Sequence, residues 1–236
     1  MAEGGKPLKG RVALVTGGGR GIGRAIAQAL AEDGADVAIG YRRDEEAAKA
    51  SVKELEKLGV RARAYSASME SHEQVVAMAD KAVADFGFVD ILVNNAGIAS
   101  RGRSVLDTEP DEIARLLTVH AQAPHWLSRR LIPSMRTRPR SDIVMISSVA
   151  TLKMGANGAP YNMAKAAMEA LAYTLAKEER AHGIHVNVVA PGLVETDMGM
   201  RLVKGAAGID DIHSLDKSMP YGRVCQPQDI ANAVRF

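Results

Sequence analysis

The run RVALVT at residues 11–16 passes through a glycine cluster directly into GIGRAIAQALAED, whose apolar positions return at helical spacing. A short strand, a tight loop and a helix joined in that order begin a parallel-strand unit, because the helix carries the chain back along the sheet. The alternation then repeats. ADVAIG at 35–40 precedes a charged helical segment at 44–58, and VRARAY at 60–65 precedes one from Glu70 to Phe86. VDILVNN at 89–95 leads into a mainly helical stretch from Asp107 to Pro133, with an irregularity expected at Pro124. SDIVMISS at 141–148, a helix from Ala159 to His182 and IHVNVVAP at 184–191 bring the count to at least six strands. Strands that read as near-continuous apolar runs are covered on both faces. The expected fold is α/β, a doubly wound parallel sheet in three layers, helices on both faces, forming a single domain over 1–236.

Composition narrows the function classes. Lys plus Arg total 30 against 28 Asp plus Glu, a formal charge of +2, so nothing global calls for nucleic acid or an anionic membrane. Cys225 is the only cysteine, which excludes intramolecular disulfides and cysteine-based zinc sites; no metal is expected. No run of 18 apolar residues occurs, and MAEGGKPLKGR lacks the apolar stretch of a secretory signal, so the cytoplasm is the expected location. Residues 193–224 break the rhythm, being rich in Met, Gly and Asp. They read as a substrate lid with short helical pieces, or as a surface excursion. PQDIANAVRF opens a final helix, with Pro227 near its first turn.

Gly17, Gly19, Gly21 and Gly23, with Arg20 and Ile22 among them, lie between the first strand and the first helix. Glycines there permit unusual φ angles and let backbone approach a pyrophosphate, while the helix N–H groups face its charge. The spacing G-x-x-x-G-x-G departs from G-x-G-x-x-G, and a glycine turn could serve helix packing alone; the strand and helix around it favour a Rossmann-type nucleotide site. An acidic residue at the tip of the second strand would hold a free ribose 2′-hydroxyl. Here Tyr41, Arg42 and Arg43 stand instead, and with Arg20 they could meet a 2′-phosphate, so NADP(H) is the expected cofactor. The two arginines could equally begin the charged helix. Asn95, Ala96 and Gly97 close the fourth strand at the same edge, where small residues let the chain pass near adenine and its ribose.

Ser148 is placed at the end of the fifth strand, and Tyr161 and Lys165, four apart, share a helix face. The three can converge on a carbonyl. A phenol titrates near pH 10, and an adjacent ammonium is expected to lower that value, making Tyr161 a proton donor; Ser148 would orient the substrate oxygen.

TGGGRGIG at 16–23, NNAG at 94–97, Ser148, YNMAK at 161–165 and PGLVET at 191–196 together resemble the short-chain dehydrogenase/reductase family over nearly the whole chain, most like bacterial 3-oxoacyl-[acyl-carrier-protein] reductases. The resemblance implies Tyr161 as general acid/base, Lys165 as its support and a ribose contact, Ser148 as substrate-positioning, and Pro191, Gly192, Val194 and Thr196 as a nicotinamide cradle. It implies a homodimer or homotetramer built partly on the two long helices. It also implies one more strand after the helix begun by PQDIANAVRF, which this sequence does not contain. Two positions depart from the family's pattern. His120 stands where an Asn commonly completes a proton relay, and an imidazole titrating near pH 6.5 could continue or interrupt it. Ser68 stands where an Asp commonly meets adenine, leaving its hydroxyl or the backbone of Met69 for that contact.

The implied activity is NADPH-dependent reduction of a ketone, with a 3-oxoacyl thioester as leading substrate. A sugar, steroid, cyclic ketone or polyketide intermediate stays open, as does a catalytically weak NADP-binding scaffold. Thr151, Leu152, Met154, Met198, Met200, Leu202 and Val203 offer flexible apolar contacts to a substrate or fill core gaps. Arg129, Arg130, Arg136, Arg138 and Arg140 form a basic run that could meet an acyl carrier protein, or a solvated helix end.

Overall fold

The computed structural model describes residues 6–235. Its strands are β1 (Val12–Thr16), β2 (Asp36–Tyr41), β3 (Ala62–Ser66), β4 (Ile91–Asn94), β5 (Ser141–Ile146) and β6 (Ile184–Val189). They form one sheet in the order β3-β2-β1-β4-β5-β6, every pair parallel. The expected doubly wound topology is therefore observed, with the strand order reversing between β1 and β4.

Strand periodicity explains the three layers, because neighbouring residues of each strand point to opposite faces. Leu14, Ala38, Leu92, Ile143 and Met145 face one core. It is completed by α3 (His72–Phe86), α5 (Ala123–Met135) and α7 (Ala159–Glu179), through Met78, Leu127, Leu131 and Met168. Ala13, Val15, Ile39, Val93 and Val144 face the other, covered by α1 (Gly21–Glu32), α2 (Glu45–Glu56) and α9 (Pro227–Arg235). Leu14, Ile39 and Leu92 are wholly enclosed, each worth about 1.5–3 kcal/mol of burial.

The stretch from 107 to 133 is more broken than its sequence suggested. α4 (Pro110–Leu117) runs into a five-residue π-helical turn, Thr118–Gln122, before α5 begins. Pro124 has no N–H for the carbonyl of His120, and the chain widens just ahead of it, Ala123 N–H bonding Thr118 O five residues back. The irregularity thus precedes Pro124. Pro133 does not end α5, which continues to Met135.

β5 ends at Ile146, so Ser148 stands in the following turn rather than on the strand, ahead of the short α6 (Ala150–Lys153). The expected irregular lid contains an 11-residue helix, α8 (Asp197–Ala207), and a 3₁₀ segment, Ile212–Ser218. The side chain of Thr196 caps α8 by accepting from Gly199 N–H, and Gly208 ends it at φ +65°. Among the described residues, no helix is long and apolar enough to cross a membrane, and no cluster of three His, Cys, Asp or Glu could hold a metal.

Candidate active site

In an all-parallel sheet every strand ends on one edge, so the segments after all six strands gather there. The glycine loop bends where L-residues are strained: Gly17 and Gly21 have φ of +68° and +53°. Gly23 serves close packing, since a Cβ there would lie 2.2 Å from Gly17 O and 2.5 Å from Asn95 Nδ2. Gly18, outside the predicted set, is equally constrained, its Cβ reaching 2.6 Å from Ile39 Cγ2 on β2. Arg20 is the N-cap of α1 without a side-chain cap, and no acid occupies the first turn. Uncapped N–H donors at a positive helix end suit the pyrophosphate of a dinucleotide.

Thr16, which opens the TGGGRGIG motif but was given no role of its own, joins this loop to β4. Its buried Oγ1 accepts from Asn95 N–H at 3.0 Å and Ala96 N–H at 2.9 Å, while Asn95 Nδ2 donates to Thr16 O at 2.8 Å. Asn95 and Ala96 are therefore tied to the glycine loop, and Gly97 abuts His120.

The cations near the tip of β2 are unequal. Arg42 and Arg115 both pair with Glu70 at 3.1 Å, and Arg20 turns toward Asp197 of α8 at 3.7 Å. Among the described residues Arg43 makes no ion pair and is exposed, while Tyr41, two residues before it, is half-buried. Ser68 Oγ accepts from Glu70 N–H at 3.3 Å, and the Met69 side chain belongs to the core.

Ser148, Tyr161 and Lys165 come together as expected. Lys165, wholly enclosed on α7, donates to Ile146 O at the end of β5 at 2.6 Å, with Nζ 5.7 Å from the Tyr161 ring centre. Burial pulls its pKa down to about 7, Glu169 acting the other way. Burial also raises the Tyr161 phenol above its ordinary value, the Ser148 hydroxyl opposing. The lowering expected from Lys165 is not found: burial sets the direction, and the group that opposes it is Ser148. Glu169, four residues after Lys165 and absent from the predicted set, accepts from Ser147 Oγ at 2.5 Å and Thr151 Oγ1 at 2.9 Å. The i, i+4, i+8 spacing of Tyr161, Lys165 and Glu169 is the signal that could have found it.

His120 lies in the π-helical turn, only 1% exposed, its ring edge-on to Tyr161 at 5.4 Å and 83°. Nε2 is 2.8 Å from Ile98 O and 3.2 Å from Ile98 N, whereas Nδ1 is buried without a partner among the described residues. Burial, reinforced by Lys165, pushes this imidazole down to about 3. The expectation of titration near pH 6.5 is corrected: His120 is neutral at physiological pH.

The segment after β6 reaches back to both halves of the site. Pro191 O accepts from Val149 N–H at 3.0 Å in the Ser148 turn, and the Thr196 methyl lies 3.4 Å from where a Gly21 Cβ would stand. Between them Gly192 is exposed and Val194 is buried, bridging to Cys225. Leu152, Met154, Met198, Met200 and Leu202 are exposed. Val203 instead packs with Ile212 and Val224 in a small core inside the 193–224 segment, and Thr151 is held by Glu169.

A family model described as short chain dehydrogenase matches residues 11–207. The chain belongs to the short-chain dehydrogenase/reductase family. It is 36% identical over 229 residues to the 3-oxoacyl-[acyl-carrier-protein] reductase of Escherichia coli strain K12, covering 97% of this chain and 90% of that protein. Among solved structures, it is similar to NAD+-bound xylitol dehydrogenase (TM-score 0.89, 31% identity, covering 97% of this chain and 92% of that one). It is also similar to a blue fluorescent protein from a metagenomic library in complex with NADPH (TM-score 0.88, 35% identity, covering 98% and 91%). Family membership makes the chain an oxidoreductase that uses a nicotinamide cofactor.

The basic run of this short-chain dehydrogenase is largely paired within the chain. Arg130 meets Asp80 at 2.5 Å, Arg136 grips both oxygens of Glu179 at 2.8 and 2.7 Å, and Arg140 meets Asp142 at 3.0 Å. Arg138 stacks on Phe88 at 3.7 Å. Asp142 and Phe88 stand at or before the starts of β5 and β4, the opposite edge from Ser148, so a carrier held there would not sit over the same chain's Tyr161.

Proposed function

We propose that this protein is an NADPH-dependent reductase of ketones, with a 3-oxoacyl thioester as its leading substrate. The observation that carries the reading is the convergence of Ser148, Tyr161 and Lys165 at the sheet edge that also holds the uncapped N-terminus of α1. Gly17, Gly19, Gly21, Ile22 and Gly23 would hold the pyrophosphate. Arg43, with Arg42 and Arg20, would meet the 2′-phosphate; Tyr41, Ser68, Met69, Asn95, Ala96 and Gly97 would border adenine and its ribose. Pro191, Gly192, Val194 and Thr196 would border the nicotinamide. When bound, NADPH supplies the hydride.

The chain's own residues handle the proton. Ser148 hydrogen-bonds the ketone oxygen and aims it at Tyr161, which gives that oxygen its proton. Burial keeps the phenol protonated at neutral pH, the form that a reduction needs. Lys165, when charged, stabilises the phenolate left behind. His120, fixed and neutral, braces the Tyr161 ring. The exposed apolar side chains from Leu152 to Met154 and along α8 suit an acyl or other apolar substrate. Homodimers or homotetramers through α5 and α7 accord with the apolar notch lined by Ala121, His125, Trp126 and Leu171.

NADPH oxidation against 3-oxoacyl thioesters, cyclic ketones, sugars, steroids and quinones tests the reading. Turnover of 3-oxoacyl thioesters above the other classes is expected. Preference for another class would replace the substrate, and cofactor binding without any turnover would favour a binding scaffold.

A further inference from the structure

We infer that Glu169 is a positioning residue whose carboxylate, seated beneath the turn after β5, fixes the backbone from which Ser148 presents its hydroxyl. One oxygen, Oε1, receives both Ser147 Oγ at 2.5 Å and Thr151 Oγ1 at 2.9 Å. Those hydroxyls flank Ser148 one residue before and three after. The turn between them is closed by Thr151 N–H to Ser148 O at 3.2 Å, and Ala150 N–H reaches Ser148 Oγ at 3.2 Å. From outside, Ser147 N–H bonds Val189 O at 2.7 Å and Val149 N–H bonds Pro191 O at 3.0 Å. Those backbone bonds set the depth of the turn against β6. The Ser147 hydroxyl bond to this charged oxygen, with the Thr151 hydroxyl whose single proton is shared between Glu169 Oε1 and Ser148 O at 2.9 Å each, sets its tilt, and charge assistance strengthens the bonds to the carboxylate.

The same carboxylate has a second effect, because α7 places it one turn beyond Lys165. The groups that face Lys165 are Tyr161 and Glu169 on its own helix, His120 from the π-helical turn and the Ile146 carbonyl from β5. His120 is neutral, so Glu169 supplies the negative charge that opposes the burial of the Lys165 ammonium.

The inference rests on the reading of Ser148 as the group that orients the ketone, so its test has one arm that needs turnover and one that does not. With acetoacetyl-coenzyme A and NADPH, E169A is expected to lower kcat about tenfold while leaving the KM for NADPH within about twofold. At acid pH, where Lys165 keeps its proton in every variant, the same change in an S148A background costs less than about twofold, because there Glu169 acts through Ser148 alone. E169Q keeps the acceptor oxygen and regains most of the rate at acid pH. Its rate then falls at a lower pH than wild type, since Lys165 loses its proton sooner. In the second arm, amide hydrogen exchange at Val149 and Thr151 rises in E169A and not in E169Q. An equal loss from E169A with and without Ser148 at that acid pH, or unchanged exchange at those two amides, overturns the inference. If the wild type reduces no ketone, the functional reading fails and the exchange arm alone decides the role of Glu169.

Discussion

The buried, neutral His120 makes acid stability a direct probe of the site. In the unfolded chain its imidazole titrates near 6.5, and in the fold it is held down to about 3. As pH falls through 6.5 the unfolded state takes up a proton that the folded state refuses. Stability attributable to His120 is therefore fully present above about pH 6.5 and is lost progressively toward pH 3, at about 1.4 kcal/mol per pH unit. Between pH 7 and 4.5 the sum is about 3 kcal/mol. His120→Asn removes this titration. The variant also loses the edge-on contact with Tyr161 and the fit against Gly97, whose Cβ would come within 2.7 Å of His120 Cε1. At pH 7.5 it should be less stable by about 1–3 kcal/mol. The two stability curves then approach each other on acidification, and the difference should move about 3 kcal/mol in the variant's favour by pH 4.5. Denaturant unfolding of both proteins at matched concentration, at half-unit steps from pH 7.5 to 4.5, measures it, and titrations common to both cancel in the difference. Parallel curves would refute the reasoning, because they would mean that His120 is equally protonated in folded and unfolded chains.

Two glycines should respond oppositely to alanine. Gly23→Ala drives a Cβ into Gly17 O and Asn95 Nδ2 and should cost about 2–3 kcal/mol by denaturant unfolding. Gly205→Ala, in α8 with no heavy atom within 4 Å of the new Cβ, should gain about 0.5–1 kcal/mol in the same assay. Arg43→Ala should raise the Kd for NADPH about tenfold and leave that for NADH within about twofold, as followed by cofactor fluorescence. Arg42→Ala should have the smaller effect because Glu70 already engages Arg42; equal weakening of both cofactors by Arg43→Ala would remove it as the selector.

Much of this fold was legible because its signals are local. Strands covered on both faces read as apolar runs, and all six fall within two or three residues of expectation at their ends. Tyr161 and Lys165 were legible from helical spacing, and the glycine loop from its place between strand and helix. The parts that escaped depend on tertiary neighbours. Pro124 announced an irregularity, but the wide turn that seats His120 against Gly97 is set by packing with the loop after β4. α8 was obscured by its Met and Gly content, although Thr196 and Gly208 mark its two ends. Gly18, Thr16 and Glu169 act through partners 18 to 80 positions away, and the ion pairs that occupy Arg20, Arg42 and most of the basic run are equally invisible to spacing. The Tyr161 pKa went the other way from expectation because the degree of burial, which outweighs the opposing Ser148 hydroxyl, is a property of the folded chain.

The central claim is that the Tyr161 hydroxyl donates the proton in a reduction whose cofactor is held by other residues. Single-turnover NADPH oxidation by Tyr161→Phe, with NADPH affinity measured on the same preparation, tests it most directly. The account predicts a rate lowered at least about a hundredfold with the Kd for NADPH within about threefold of wild type. A near-normal rate with the phenol gone would contradict it.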